Sequence, residues 1–202
     1  MRKDKCIVFF GPESPSATRP SLAPQFRFLV DDLASVLPAL QQGVATKVLR
    51  QPDGATAGLA AMLERLQSRE RAFAEHAKQQ QQQQQQQQNK WPEVLLLLCE
   101  GHAGVDGNLL MAEQIAQGSM NLHEVLQYSE ASARAVQGMW PQPALYVHVR
   151  CVYGGNKVAD QAARRACDDT AMVLPQHLLL TLDNPGDVQD VLLPRLREIA
   201  GL

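Results

Sequence analysis

Short apolar runs alternate with segments of helical period along this 202-residue chain. That alternation predicts an α/β fold: a three-layer αβα sandwich around a mostly parallel sheet. Two runs carry the strongest signal. Val94-Leu95-Leu96-Leu97-Leu98-Cys99 opens into Glu100-Gly101-His102-Ala103-Gly104, and Ala144-Leu145-Tyr146-Val147-His148-Val149-Arg150 opens into Cys151-Val152-Tyr153-Gly154-Gly155. Each reads as a buried parallel strand that delivers a reactive side chain at its carboxyl end, where ligands collect in open α/β sheets.

Lys5 to Phe10 reads as the first strand, broken by Gly11-Pro12 and followed by a Pro/Ser-rich loop that carries Arg19. From Phe26 to Leu40, Phe26, Leu29, Val30, Leu33, Val36, Leu37 and Leu40 recur at helical spacing, with Asp31 and Asp32 in the first half. Gly43 ends that helix, and Val44 to Leu49 alternates like a second strand. Ala57 to Arg71 is amphipathic, with Leu59, Met62, Leu63 and Leu66 inward.

Ten consecutive glutamines, Gln79 to Gln88, follow. A polar tract buries nothing, so it is expected as a solvated loop or as a helix running on into solvent. The chain thus reads as one domain over 1–202, with a polyglutamine-containing insertion at about 75–90. Beyond the third strand, 109–115 reads as a hairpin or loop, and Leu122 to Val136 as a helix. After the fourth strand come a helix over Lys157 to Ala166, a last apolar run at Leu178 to Leu182, and a terminal helix from Val188 to Ile199.

Composition removes several classes of function. A formal charge of −2 gives no electrostatic reason to expect nucleic acid or an anionic membrane as partner. No apolar stretch approaches the roughly 18–20 residues that span a bilayer. The four cysteines, Cys6, Cys99, Cys151 and Cys167, show no CxxC spacing, so a reducing, cytoplasmic setting with free thiols is expected. Gly11-Pro12-Glu13-Ser14-Pro15-Ser16-Ala17-Thr18 lacks the second glycine and the lysine of a Walker phosphate loop, and its prolines remove N–H donors.

The two strand ends resemble those of the caspase and metacaspase superfamily. In that family one strand ends in a Ser-Gly-His-Gly-like turn, which Glu100-Gly101-His102-Ala103-Gly104 resembles. The next ends in a Cys-His-Ser-Gly-like turn, matched by Cys151 and Gly154. Cys151 follows His102 by 49 positions, close to the family's spacing of about 50. The resemblance implies a caspase-like sheet and a cysteine endopeptidase needing no cofactor or metal, acting on a protein or peptide. Cys151 would be its nucleophile and His102 its base, with the backbone N–H groups of Ala103 and Cys151 facing the oxyanion.

Ala103 stands where the family has glycine, and Val149 where metacaspases carry a specificity acid. Those departures favour the alternative, an inactive module that binds other caspase-like domains. Arg150 and Arg19 are the available readers of an acidic substrate residue. His148 reads as a half-buried structural residue that competes with His102 for the base role, and Asp31 and Asp32 are given no catalytic part.

Overall fold

The computed structural model describes residues 3–11, 23–40, 43–50, 58–86, 93–101, 115, 118–138, 141–150, 165 and 167–202. Five strands form one sheet: β1 (Lys3–Phe10), β2 (Val44–Leu49), β3 (Val94–Glu100), β4 (Pro143–Val149) and β5 (Leu179–Leu182). Their spatial order is β2-β3-β1-β4-β5, and every pairing is parallel. The helices are α1 (Ala23–Leu40), α2 (Leu59–Gln86), α3 (Leu122–Gly138), α4 (167–173) and α5 (Leu193–Ala200).

The layers follow from the two-residue period of the strands. On one face Ile7, Phe9, Leu96, Leu98, Leu145 and Val147 pack against Val30, Leu33 and Leu37 of α1 and Leu193 and Leu196 of α5. On the other, Cys6, Val8, Phe10, Leu95, Leu97 and Tyr146 pack against Phe73 of α2 and Ala171 of α4. A third cluster joins α2 to α3 through Met62, Leu66, Tyr128 and Ala135. All seven residues of β3 are buried, as a strand covered on both faces requires.

Local chemistry sets several boundaries. Asn121 Oδ1 accepts the N–H of Glu124 at 3.1 Å, and Glu124 Oε2 accepts that of Asn121 at 2.8 Å, a reciprocal capping box that starts α3. The terminal helix differs from its expected single α-helix. Val188–Leu192 is a π-turn before α5, with the N–H of Leu193 bonded to the carbonyl of Val188. Pro194 accounts for it: proline has no N–H to give the carbonyl four residues back, and its ring crowds that carbonyl, so the ladder shifts register. Helix α2 runs on to Gln86, so the glutamine tract is met as a helix through that residue.

Candidate functional site

With all strands parallel, their carboxyl ends share one edge. There β1 leads into Gly11, β2 into Arg50, β3 into Gly101, β4 into Arg150 and β5 into Asp183. The chain leaving β1 goes to β2 on one side, and the chain leaving β4 goes to β5 on the other. The chain leaving β3 also runs that second way, to β4, so the connections reverse on both sides of β1, and the topological switch where open α/β sheets hold their ligands lies at β1 and its neighbours β3 and β4. Phe10 and His148 are register partners at that point. Their rings stack with centroids 4.8 Å apart and planes 4° from parallel.

His148 is 2 % exposed. Burial holds its imidazole below the ordinary histidine value, and Arg150 adds to the lowering, while Asp168 and Asp183 oppose it. Below about pH 6.5 the unfolded chain therefore takes up a proton that the folded chain resists, and stability falls with pH until the depressed value is passed. We expect His148→Phe, which keeps a ring against Phe10, to lose less stability than the parent between pH 7.5 and 5, read by urea unfolding.

A second group of charges gathers at the ends of β2 and β3. The Glu100 carboxylate is buried, and the Arg50 guanidinium donates to its Oε1 at 2.8 Å. Asp31 on α1 accepts a short hydrogen bond from Nη2 of the same arginine. From the opposite face, Nη2 of Arg69 on α2 approaches the Glu100 carbonyl at 3.5 Å. Gly101 leaves the strand at φ 76, a left-handed turn open to glycine at little cost, and its N–H closes on the Phe9 carbonyl at 2.8 Å. The result is a buried carboxylate fixed by Arg50 at the carboxyl edge of the sheet. It can accept hydrogen bonds from a ligand hydroxyl or amine.

Arg150 lies between Asp168 at 3.6 Å and Asp183 at 3.2 Å, all three about half exposed, so these pairs contribute little to stability. Cys6 and Cys99 bring their sulfurs to 3.5 Å in the core. That contact and burial push the Cys99 thiol up, away from the reactive thiolate. Cys99 pairs with Val8, two residues along β1 from Cys6. At ~3.3 Å per residue and ~4.8 Å between strands, their Cα atoms stand ~8 Å apart, too far to bridge. Cys6, Cys99 and Cys167 are buried, as expected of core thiols. Among the described residues no group of three or more His, Cys, Asp or Glu could hold a metal ion, and no helix is long and apolar enough to cross a membrane.

His102, Ala103 and Cys151 lie outside the described residues, as do Arg19 and most of 109–115 and Lys157 to Ala166. The strands that lead to the histidine and the cysteine are described, however, and they are not neighbours. Both β3 and β4 pair with β1, which lies between them, so the two carboxyl ends are separated by roughly 10 Å of sheet. Sequence reasoning passed over Arg50 and gave Asp31 and Glu100 no role. The available signal was an unbroken apolar run ending in a charge, as in Val94 to Glu100; the β2 segment, broken by Thr46 and Lys47, carries no such signal for Arg50.

The fold is similar to that of thymidylate kinase from Candida albicans, with a TM-score of 0.51 and 13 % identity, over 98 % of this chain and 93 % of that one. No family model matches the chain, and no curated protein matches it significantly. The likeness confirms the α/β class and corrects the resemblance to caspases. The scaffold is an all-parallel five-stranded sheet similar to that of a thymidylate kinase and not a caspase-like one, and the reading as a cysteine endopeptidase, or as a silent member of that superfamily, falls with it. The spacing of a histidine and a cysteine in the sequence carries no information on which strands are adjacent, and β3 and β4 are not.

Proposed function

We propose that this chain is a nucleotide-binding protein built on a nucleotide-kinase scaffold, with its ligand lying across the carboxyl ends of β3, β1 and β4. The observation that carries the reading is the strand order with its switch at β1 and its two neighbours, in a fold similar to that of a thymidylate kinase. Glu100, fixed by its hydrogen bond from Arg50, accepts hydrogen bonds from the sugar hydroxyls or base amines of the ligand. The segment that follows β1 has neither the second glycine nor the lysine that gathers the outer phosphates of a nucleoside triphosphate. Phosphoryl transfer depends on that charge, so binding without efficient transfer follows.

The test is calorimetric titration with adenosine triphosphate, nucleoside monophosphates and nucleosides, with and without Mg²⁺, beside a phosphoryl-transfer assay. Saturable binding of at least one member is expected, weakened about 10-fold by Glu100→Gln, the scale of one hydrogen bond to a charged group. Transfer should stay at background. Absence of binding across the panel overturns the reading, and turnover in the kinase range of ~1–100 s⁻¹ overturns its binding-only part.

A further inference from the structure

A second polar cluster lies far along α2 from the residues just described and points to a different property. Asp4 on β1, His76 on α2 and Lys47 on β2 form a chain, with His76 Nε2 3.7 Å from Asp4 Oδ2 and Lys47 Nζ 3.1 Å from His76 Nδ1. The imidazole and the carboxylate are almost wholly buried, at 4 % and 2 % exposure. An ammonium has no lone pair, so Lys47 donates and Nδ1 accepts; the ring proton then sits on Nε2, facing Asp4. Strand β3 lies between β1 and β2 in the sheet, so His76 ties α2 to the strands on both sides of it.

Lys47 makes one more bond: Nζ donates to Oε1 of Gln79 at 3.1 Å. Gln79 is the first residue of the glutamine run and sits three positions after His76, on the same side of the helix. His76 is buried, whereas Lys78, Gln79 and Gln82 are exposed, so apolar packing ends at the turn where the lysine takes hold. Beyond it the backbone remains helical to Gln86.

We propose that the Asp4–His76–Lys47–Gln79 chain is a built-in helix clamp that holds the glutamine tract in α-helical form. Starting a helix in a polar tract is costly, with a nucleation factor of ~10⁻³, whereas extending one already fixed adds a hydrogen bond for each residue ordered. Packing of α2 supplies the nucleus. Lys47 prevents its last packed turn from fraying, so the glutamines continue a helix instead of entering the extended states in which such tracts self-associate. The clamp requires nothing of the carboxyl-edge site and stands whether or not that site binds a nucleotide.

Hydrogen exchange in the full-length protein tests it, read on peptides covering 79–86 and on β1 as an internal reference. Gln79→Met removes the acceptor at an exposed position while keeping side-chain length and helix propensity, and Lys47→Met removes the donor. Both should speed exchange in 79–86 about 2- to 10-fold, the range set by one net hydrogen bond, and leave β1 unchanged. Gln82→Met, at another exposed position of the tract, should have no such effect. Exchange in Gln79→Met equal to the parent, or an equal acceleration in Gln82→Met, overturns the clamp. Should Lys47→Met fail to fold, the Gln79 and Gln82 variants decide the matter alone.

Discussion

Replacing Arg50 with Met should lower unfolding stability by about 2 kcal/mol. The reason is asymmetry of burial. Glu100 has its side chain only 6 % exposed, whereas Arg50 is 43 % exposed. Removing the arginine deprives a desolvated carboxylate of its guanidinium, a loss that runs to 3–5 kcal/mol for fully buried pairs and is reduced here by the solvent around Arg50. Asp31→Asn touches only the exposed side of the same arginine, where side-chain exposures are 43 % and 52 %, and should cost less than about 1 kcal/mol. Urea unfolding of the two variants separates the cases. Similar losses from both would show that the Glu100 contact is not the stronger of the two.

Phe9→Ala should be costlier still, about 3–5 kcal/mol, and should loosen the carboxyl edge at the same time. Phe9 is 1 % exposed, lies in the cluster that joins the sheet to α1 and α5, and pairs in register with Glu100. Its carbonyl also accepts the N–H of Gly101, so a cavity beneath it shifts the turn that follows β3. Thermal unfolding gives the stability. Faster amide exchange at Gly101 gives the loosening, and unchanged exchange there would show that the turn is held independently of the core.

The layered fold was readable because its signal is local and repeated. β3, β4 and β5 are short apolar runs, β1 and β2 hold apolar stretches beside charged residues, and α1 and α3 carry helical periods, although α1 begins at Ala23, three residues before the expected Phe26. Pro194 was visible in the sequence, but its consequence, a π-turn in place of a regular turn, depends on a neighbouring carbonyl that periodicity does not register. Strand order is a different kind of information. Apolar runs at Val94 to Cys99 and Ala144 to Val149 say that two strands exist, and nothing in them says that β1 inserts between the two. The Arg50–Glu100 contact spans fifty positions of sequence, so it became visible only when β2 and β3 were placed side by side. The capping box at Asn121 and Glu124, by contrast, joins residues only three positions apart.

The most direct test of a ligand site at the carboxyl edge is amide chemical-shift mapping by NMR during titration with the nucleotide that binds most tightly. The account predicts shifts at Phe10, Gly11, Glu100, Gly101, Val149 and Arg150, with Lys3, Val44 and Val94 at the opposite edge unmoved. Shifts confined to that opposite edge, or none at saturating nucleotide, would contradict it.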